Sequence, residues 1–296
     1  MKKLLFCLGV FIFMASMMPI KAQSIIDAND EHNFSDFYEK SLAKGNRAIP
    51  YAFLRESDVV WKTCVWRKID MREKFNQYLY FPIDPKENTQ GRMNLANLLY
   101  QAVSNGEIEV FEDDELKVPL DWEVLNGRLN KYHTFMTDDV LNEYGDVVEE
   151  GHLDSTLMSF NAKDYFVILL KEFWYIDKQD TRQKVRITGL SLVLTECKDR
   201  DGESICNQIP QFWVPMDDMR VRNILAKTDS YDENNIAANR SYDDIFIDRF
   251  FDSYVTRTTN RFNREVSSYL TGTDAILESQ RLEDEIFNIE SDMWEY

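Results

Sequence analysis

Apolar positions recur along this chain in two rhythms, and the change from one to the other lays out the elements. From Thr273 onward, Ala275, Ser279, Leu282, Ile286, Ile289 and Met293 follow at intervals of 4, 3, 4, 3 and 4 residues. That heptad-like seam predicts a C-terminal amphipathic helix over 271–296. Its other faces carry Glu278, Glu283, Asp284, Glu285 and Glu290. The seam can dock on the chain's own core or be offered to a neighbouring subunit. Leu95, Leu98, Leu99 and Ala102 mark a second helix, which "SNG" ends at Asn105–Gly106. Ser57 precedes Val60, Trp61, Cys64, Val65 and Ile69 at helical spacing, so a helix is expected there, although "CVWRKIDM" also tolerates alternation. "DDMRVRNILAK" reads as a helix, and Asp121 and Ser241 are placed to cap helices in "DWEVLNGRLN" and "YDDIFIDRFFDSYV".

The other rhythm is extended. "KVRITGLSLVLTE" is rich in β-branched residues and predicts a strand, with "PQFWVP" as its partner across a hairpin. "EIEVF" reads as a further strand, and "DYFVILLKEFWYI" fits a buried helix or a buried strand. Residues 137–158 are mostly polar and read as a long connection, and "SYDENNIAANRS" as a loop. Helices and strands come in mixed order without βαβ alternation or a long repeat. The expected class is α+β: an antiparallel sheet with packed helices and the C-terminal amphipathic helix.

The front of the chain has a different character. Lys2 and Lys3 precede an apolar run from Leu4 to Met18, and Ala22 supplies a small residue for cleavage. This predicts a secretory signal peptide over 1–22. An N-terminal arm follows over 23–48 and a core domain over 49–270. Cys7 lies deep in the apolar run with no small residue before it, so no lipoprotein site is expected. No later stretch has the length and apolarity of a membrane helix, so no transmembrane segment is expected. The net charge is −18, and losing the leader would remove three lysines and no acid. Such a chain repels nucleic acid and anionic lipid.

Candidate chemistry is sparse. Export would carry Cys64, Cys197 and Cys206 into an oxidising compartment. Cys197 and Cys206 bracket "KDRDGESI", whose Asp-Gly turn could bring the two sulfurs together as a disulfide. Cys64, among Val60, Trp61 and Val65, reads as a buried structural thiol. His32, His133 and His152 are too scattered for a zinc site. "DRDGES" resembles a piece of a calcium loop, but Pro210 stands where a bidentate Glu is needed. Gly189 and Ser191 lack the second glycine of a nucleophile elbow, and no phosphate-binding glycine loop occurs. No catalytic residue, metal or cofactor is expected, and the chain does not read as an enzyme.

One segment stands apart from the acidic background. "IPYAFLRESDVVWKTCVWRKIDMREKFNQYLYFP", from Ile49 to Pro82, holds six Lys/Arg against four Asp/Glu, with two tryptophans, three tyrosines and three phenylalanines. Together with "LANLLYQAVSNGEIEVFEDDEL", "KEFWYIDKQ", "VRITGL" and the tail "AILESQRLEDEIFNIESDMWEY", it resembles the gliding-motility GldN family, called PorN in bacteria that do not glide. The likeness spans nearly the whole chain after the leader. The phrase around Trp61, Trp66, Asp70 and Arg72 and the closing "DMWEY" are its most specific parts. The resemblance does not carry the Cys197–Cys206 pair, so its disulfide is an expectation for this chain alone.

The resemblance implies a periplasmic, non-enzymatic part of the type IX secretion system. It implies a ring beneath the outer membrane with the lipoprotein GldK/PorK, contact with the periplasmic region of the motor protein GldM/PorM, self-association within the ring and a role in protein export. Trp, Tyr and Arg dominate interface hot spots, but Trp also fills cores. Candidate partner contacts are therefore Trp61, Trp66, Arg67, Lys68, Arg72, Leu282, Ile286, Ile289 and Trp294. In this reading the basic segment of one subunit faces an acidic surface of the next, such as the tail helix. The competing readings are a periplasmic peptidoglycan- or glycan-binding module that stacks sugars on its aromatics, and a hydrolase with an unmarked acidic pair.

Overall fold

Five antiparallel strands form the main sheet of the structure, a computed structural model. It describes residues 47–83, 92–136, 140–141, 147–149, 153–180, 182–200, 203–232, 235 and 240–294. All of these belong to a unit running from Ala43 to Tyr296. The expected signal peptide over 1–22 lies outside the described residues, as does the expected arm over 23–48 apart from Arg47 and Ala48. The strands are β1 (Val59–Asp70), β2 (Lys131–Met136), β3 (Val140–Leu141), β4 (Val147–Glu149), β5 (Leu153–Met158), β6 (Val167–Asp177), β7 (Gln183–Arg200), β8 (Glu203–Pro215) and β9 (Tyr254–Thr258). The helices are α1 (Gln77–Tyr80), α2 (Leu95–Ser104), α3 (Trp122–Leu129), α4 (Met219–Lys227), α5 (Tyr242–Ile247) and α6 (Thr273–Trp294). The main sheet runs β8-β7-β6-β1-β9, while β2 pairs with β5 and β3 with β4 in small ladders. The class is the expected α+β.

Register explains the core. Ile69, Ile168, Leu192 and Phe212 stand in one row across four strands, and Leu170, Leu190 and Val214 in the next. Paired residues share a face, so these rows form one apolar surface. Onto it pack Leu95, Leu98 and Leu99 of α2, Val221 and Leu225 of α4, and Tyr242, Ile245 and Phe246 of α5. Fully burying each such side chain contributes about 1.5–3 kcal/mol. The buried Tyr242 keeps its hydroxyl satisfied by donating to the Met93 carbonyl at 2.9 Å.

Several helix ends behave as their residues dictate. Asn94 caps α2 by accepting from the Asn97 N–H. At its other end Gly106 has φ +70°, the Glu107 N–H donates to the Ala102 carbonyl and the Gly106 N–H to the Val103 carbonyl. That is the Schellman closure, which glycine enters without steric cost. Ser241 and Asp244 form a capping box on α5.

Four expectations are corrected. The segment after Ser57 is strand β1, not a helix. Trp61, Val65 and Ile69 are four apart, a spacing that suits the helical period and is also a multiple of two, so they share a face in either conformation. Pairing on both sides, with β6 and β9, decides for the strand. The helix from Ser241 stops at Ile247, because Arg249 turns to φ 53° and the Phe250 N–H closes onto the Ile245 carbonyl; Val255 then belongs to β9. "EIEVF" is not a strand. Ile108 and Val110 are core anchors, and only Phe111 bridges, to Pro119 and Trp213. The stretch 137–158 is not a plain connection, since it holds β3, β4 and β5. Backbone pairing defines those strands, and a polar sequence supplies that as well as an apolar one. The ambiguous "DYFVILLKEFWYI" resolves as β6.

The β7–β8 ladder sets Cys197 opposite Cys206. Cys64 is buried, and burial pushes its thiol up to about 11. The folded, unreduced chain should therefore leave Cys64, Cys197 and Cys206 unlabelled by a maleimide at neutral pH. Denaturant alone should expose Cys64, and only reductant should release the other two. Labelling of Cys206 without reductant would show that the pair is open.

Candidate functional site

Strand β1 organises the surroundings of the candidate residues, because its two faces meet different neighbours. Odd-numbered residues face the side that carries the core. At Arg67 this face turns from apolar to charged, and the guanidinium is almost wholly buried. Its Nε donates to Ser253 Oγ at 2.8 Å, and its Nη2 donates to the Ser253 carbonyl at 3.1 Å and to Glu283 Oε1 at 2.7 Å. One residue pair further along, Val65 stands opposite Glu172 of β6, which is fully buried. Glu172 accepts from Arg249 Nη1 at 2.7 Å and from Trp174 Nε1 at 3.0 Å. Beyond these charges a second, small apolar cluster joins Val65, Val255 and Ile286, with Trp61, Trp174 and Leu282 against it.

Helix α6 supplies Ile286 and Leu282 to this cluster, and polar contacts fix it further. Ser279 Oγ accepts from the Val255 N–H at 2.8 Å, and Gln183 Nε2 donates to the Ile286 carbonyl at 3.0 Å. The heptad-like seam thus docks on its own sheet. The outer surface of α6 leaves Ile276, Leu277 and Phe287 exposed.

The opposite face of β1 carries Trp66. Its Nε1 donates to Asp114 Oδ2 at 2.8 Å. Arg257, its neighbour on β9, donates from Nη2 to the same oxygen at 2.8 Å and stacks 3.7 Å from the Trp66 ring centroid. Lys171 Nζ donates to the Asp114 carbonyl at 2.6 Å. A cation over an indole face gains about 0.5–2 kcal/mol, and here the two cations and the indole N–H pin the loop that carries Asp114. Lys68 Nζ donates to Gln208 Oε1 although β1 and β8 are not neighbours, so the curl of the sheet brings the β7–β8 hairpin over this face.

A strap enters at the end of this face. The Ala48 N–H donates to Asn223 Oδ1 at 3.1 Å, and Arg222 donates to the Ile49 carbonyl at 2.6 Å. Arg222 is itself buried in a two-point ion pair with Asp243, at 3.0 Å on each oxygen. Tyr51 lies under the Arg222 guanidinium, and Arg186 donates to the Ala52 carbonyl. Between this strap and the sheet lies an open groove of about 660 Å³, lined by Leu54, Val60, Trp61, Lys62, Phe173 and Arg186 among others. Phe53 beside it is 89% exposed.

The model of the family described as "Gliding motility associated protein GldN" matches residues 54–295. The chain belongs to the GldN family. Membership associates it with gliding motility and type IX secretion. No curated protein matches the chain. Among the described residues no helix is long and apolar enough to cross a membrane, and no group of three or more His, Cys, Asp or Glu is placed to hold a metal ion.

Within this member of the family the contact residues expected from the sequence have separate surroundings. Trp61 and Trp66 are five apart and lie on opposite faces of β1, each half-buried. Arg67 already meets an acidic tail helix, its own. Leu282, Ile286 and Ile289 are half-buried or buried, with Leu282 and Ile286 turned to the sheet. Arg72 is exposed, binds Asp70 at two points and stacks 3.9 Å from the Phe166 centroid. Burial pushes Asp70 up, but the hydrogen bonds and charge of Arg72 outweigh it and hold that carboxyl below its ordinary value. The side chains of Trp294 and Cys197 lie outside the described residues. Sequence reasoning missed the groove and the loop after β9. In that loop, "NRFNR" joins an aromatic and two arginines to two turn-forming asparagines.

Reversing Arg67 to Glu would set a buried carboxylate beside Glu283. R67E should lose about 3–5 kcal/mol of unfolding free energy in urea. K68E, at a half-exposed position, should stay within about 0.5 kcal/mol of the parent. Equal midpoints for the two variants would contradict the buried ion pair.

Proposed function

We propose that this protein is a non-enzymatic periplasmic structural subunit of the type IX secretion and gliding machinery. In this reading a signal peptide over 1–22 exports it, and it is held at the inner face of the outer membrane by the lipoprotein GldK/PorK. It associates with itself and with that lipoprotein in a ring, contacts the periplasmic region of GldM/PorM, and is needed for protein export across the outer membrane. The observation that carries the reading is the extent of the family match, which runs from the strap through the main sheet to the end of α6. A family defined over the whole folded unit fits a protein whose surface is its function.

The groove beside β1 favours one second reading. Phe173 and Tyr175 in its wall, with Lys62 and Arg186, are the residue types that stack on and hydrogen-bond to sugars. Titration with soluble peptidoglycan fragments tests this glycan-binding reading.

The test of the main reading is particle mass by light scattering, for the chain alone and co-expressed with the lipoprotein. A small species alone and a very large, regular particle with the partner is the expected result. No association with the lipoprotein, together with saturable binding of peptidoglycan fragments, would replace the subunit reading with the second one.

A further inference from the structure

The loop after β9 is built to present one side chain. Asn260 Oδ1 accepts from the Phe262 N–H at 3.1 Å and the Arg264 N–H at 2.9 Å. Its Nδ2 donates to the Thr258 and Arg264 carbonyls at 3.0 and 2.8 Å. Asn263 takes φ 50° and accepts from Arg257 Nη1 at 3.2 Å. A single asparagine thus satisfies four backbone groups of the loop. The structure so held leaves Phe262 72% exposed, with the Arg264 guanidinium 4.4 Å from its ring centroid. Arg261 and Arg264 make no ion pair among the described residues. An aromatic side chain between two unpaired arginines on a rigid support has the composition of an interface hot spot, at low ordering cost.

The same molecule carries a complementary surface. Over Thr273–Trp294, α6 has seven acids and one base. Arg281 takes Glu278 and Glu285, and Arg67 takes Glu283. Asp274, Asp284, Glu290 and Asp292 make no ion pair among the described residues. Ile276, Asp284 and Phe287 are eight and eleven residues along one outward stripe, with Leu277 beside it, turned away from the docked seam. Ile276, Leu277 and Phe287 are 66%, 58% and 65% exposed. At its C-terminal end the stripe offers an exposed phenyl ring, Phe287, three residues from the unpaired Asp284 carboxylate.

We propose that the Arg261–Phe262–Arg264 loop of one copy docks on the outer stripe of α6 of a second copy, with Phe262 against Phe287 and the arginines facing Asp284, one turn away. Charge complementarity selects the occupant. In a chain of net charge −18, copies repel one another except where a positive element meets a negative one. The contact rests on the reading of this chain as a self-associating subunit, and it names the surfaces that would do it.

Sedimentation velocity of the purified chain over a range of concentrations tests it. The parent should self-associate reversibly. R261E/R264E, F262S and D284K should each weaken the dissociation constant about tenfold or more. All four positions are exposed, and Asn260 rather than Phe262 holds the loop, so urea midpoints should not move. The chain carrying R261E, R264E and D284K together should recover association, because the charges are then exchanged across the same contact. A parent that stays monomeric throughout overturns the proposal, as does association unaffected by the reversals, or a combined variant no better than the single ones. Formation of the large particle with the lipoprotein in any of those cases would leave the subunit reading standing while removing this contact.

Discussion

A guanidinium buried in a central strand is the constraint around which this structure is arranged. Arginine cannot shed its charge inside a protein, so Arg67 must find acceptors wherever the fold puts it. It finds them in Ser253, which leads into β9, and in Glu283 of α6. Glu172 repeats the situation with the opposite sign, and Arg249 from the turn after α5 answers it. These two pairs lie between the large apolar core and the small cluster of Val65, Val255 and Ile286. The terminal helix is therefore part of the sheet's own solution. Without it Arg67 loses its carboxylate and the apolar end of β1 loses its cover.

Much of the fold was legible wherever one period could be told from the other. The α6 seam, the α2 stripe with its Asn-Gly stop and the Ser241 cap each rest on local physics that tertiary contacts did not override. The β1 segment was misleading because residues four apart satisfy both periods, and only long-range pairing separates them. The stretch after α5 was misleading because its apolar residues continue past a left-handed turn at Arg249, a residue with no sequence signal for φ 53°. The strands within 137–158 were invisible to hydrophobic patterning, since their pairing is a backbone matter. As for the site, the sequence marked the basic, aromatic segment but not the places of its residues. Arg67 and Leu282 turn inward and Trp66 is locked to Asp114. A sequence with no partner coordinates gives interface and core the same residue types.

Pairing also redistributes charge. Arg67 and Arg222 are drawn into buried pairs, and Arg257 and Lys171 are spent on Asp114. These four cations thus sit inside or against the sheet. Each pair withdraws an acid as well, so the surface keeps the negative balance of the composition, which keeps copies apart at long range. Against that background a short, rigid loop with two unpaired arginines is conspicuous, because its attraction is not diluted by neighbours of the same sign.

The two margins of the main sheet are not equivalent. On the β9 side, the Ser279 hydroxyl occupies the Val255 N–H and a helix lies over the strand. A backbone donor so occupied cannot recruit a foreign strand, and edge-to-edge addition needs a free margin on each partner. Strand addition through this sheet is therefore left to the β8 margin, where Phe111 already pairs with Trp213. A sheet covered on one side is poorly suited to edge-to-edge growth, so side-chain surfaces, whose geometry can be set independently of the hydrogen-bonded ladder, are the better means of joining many copies.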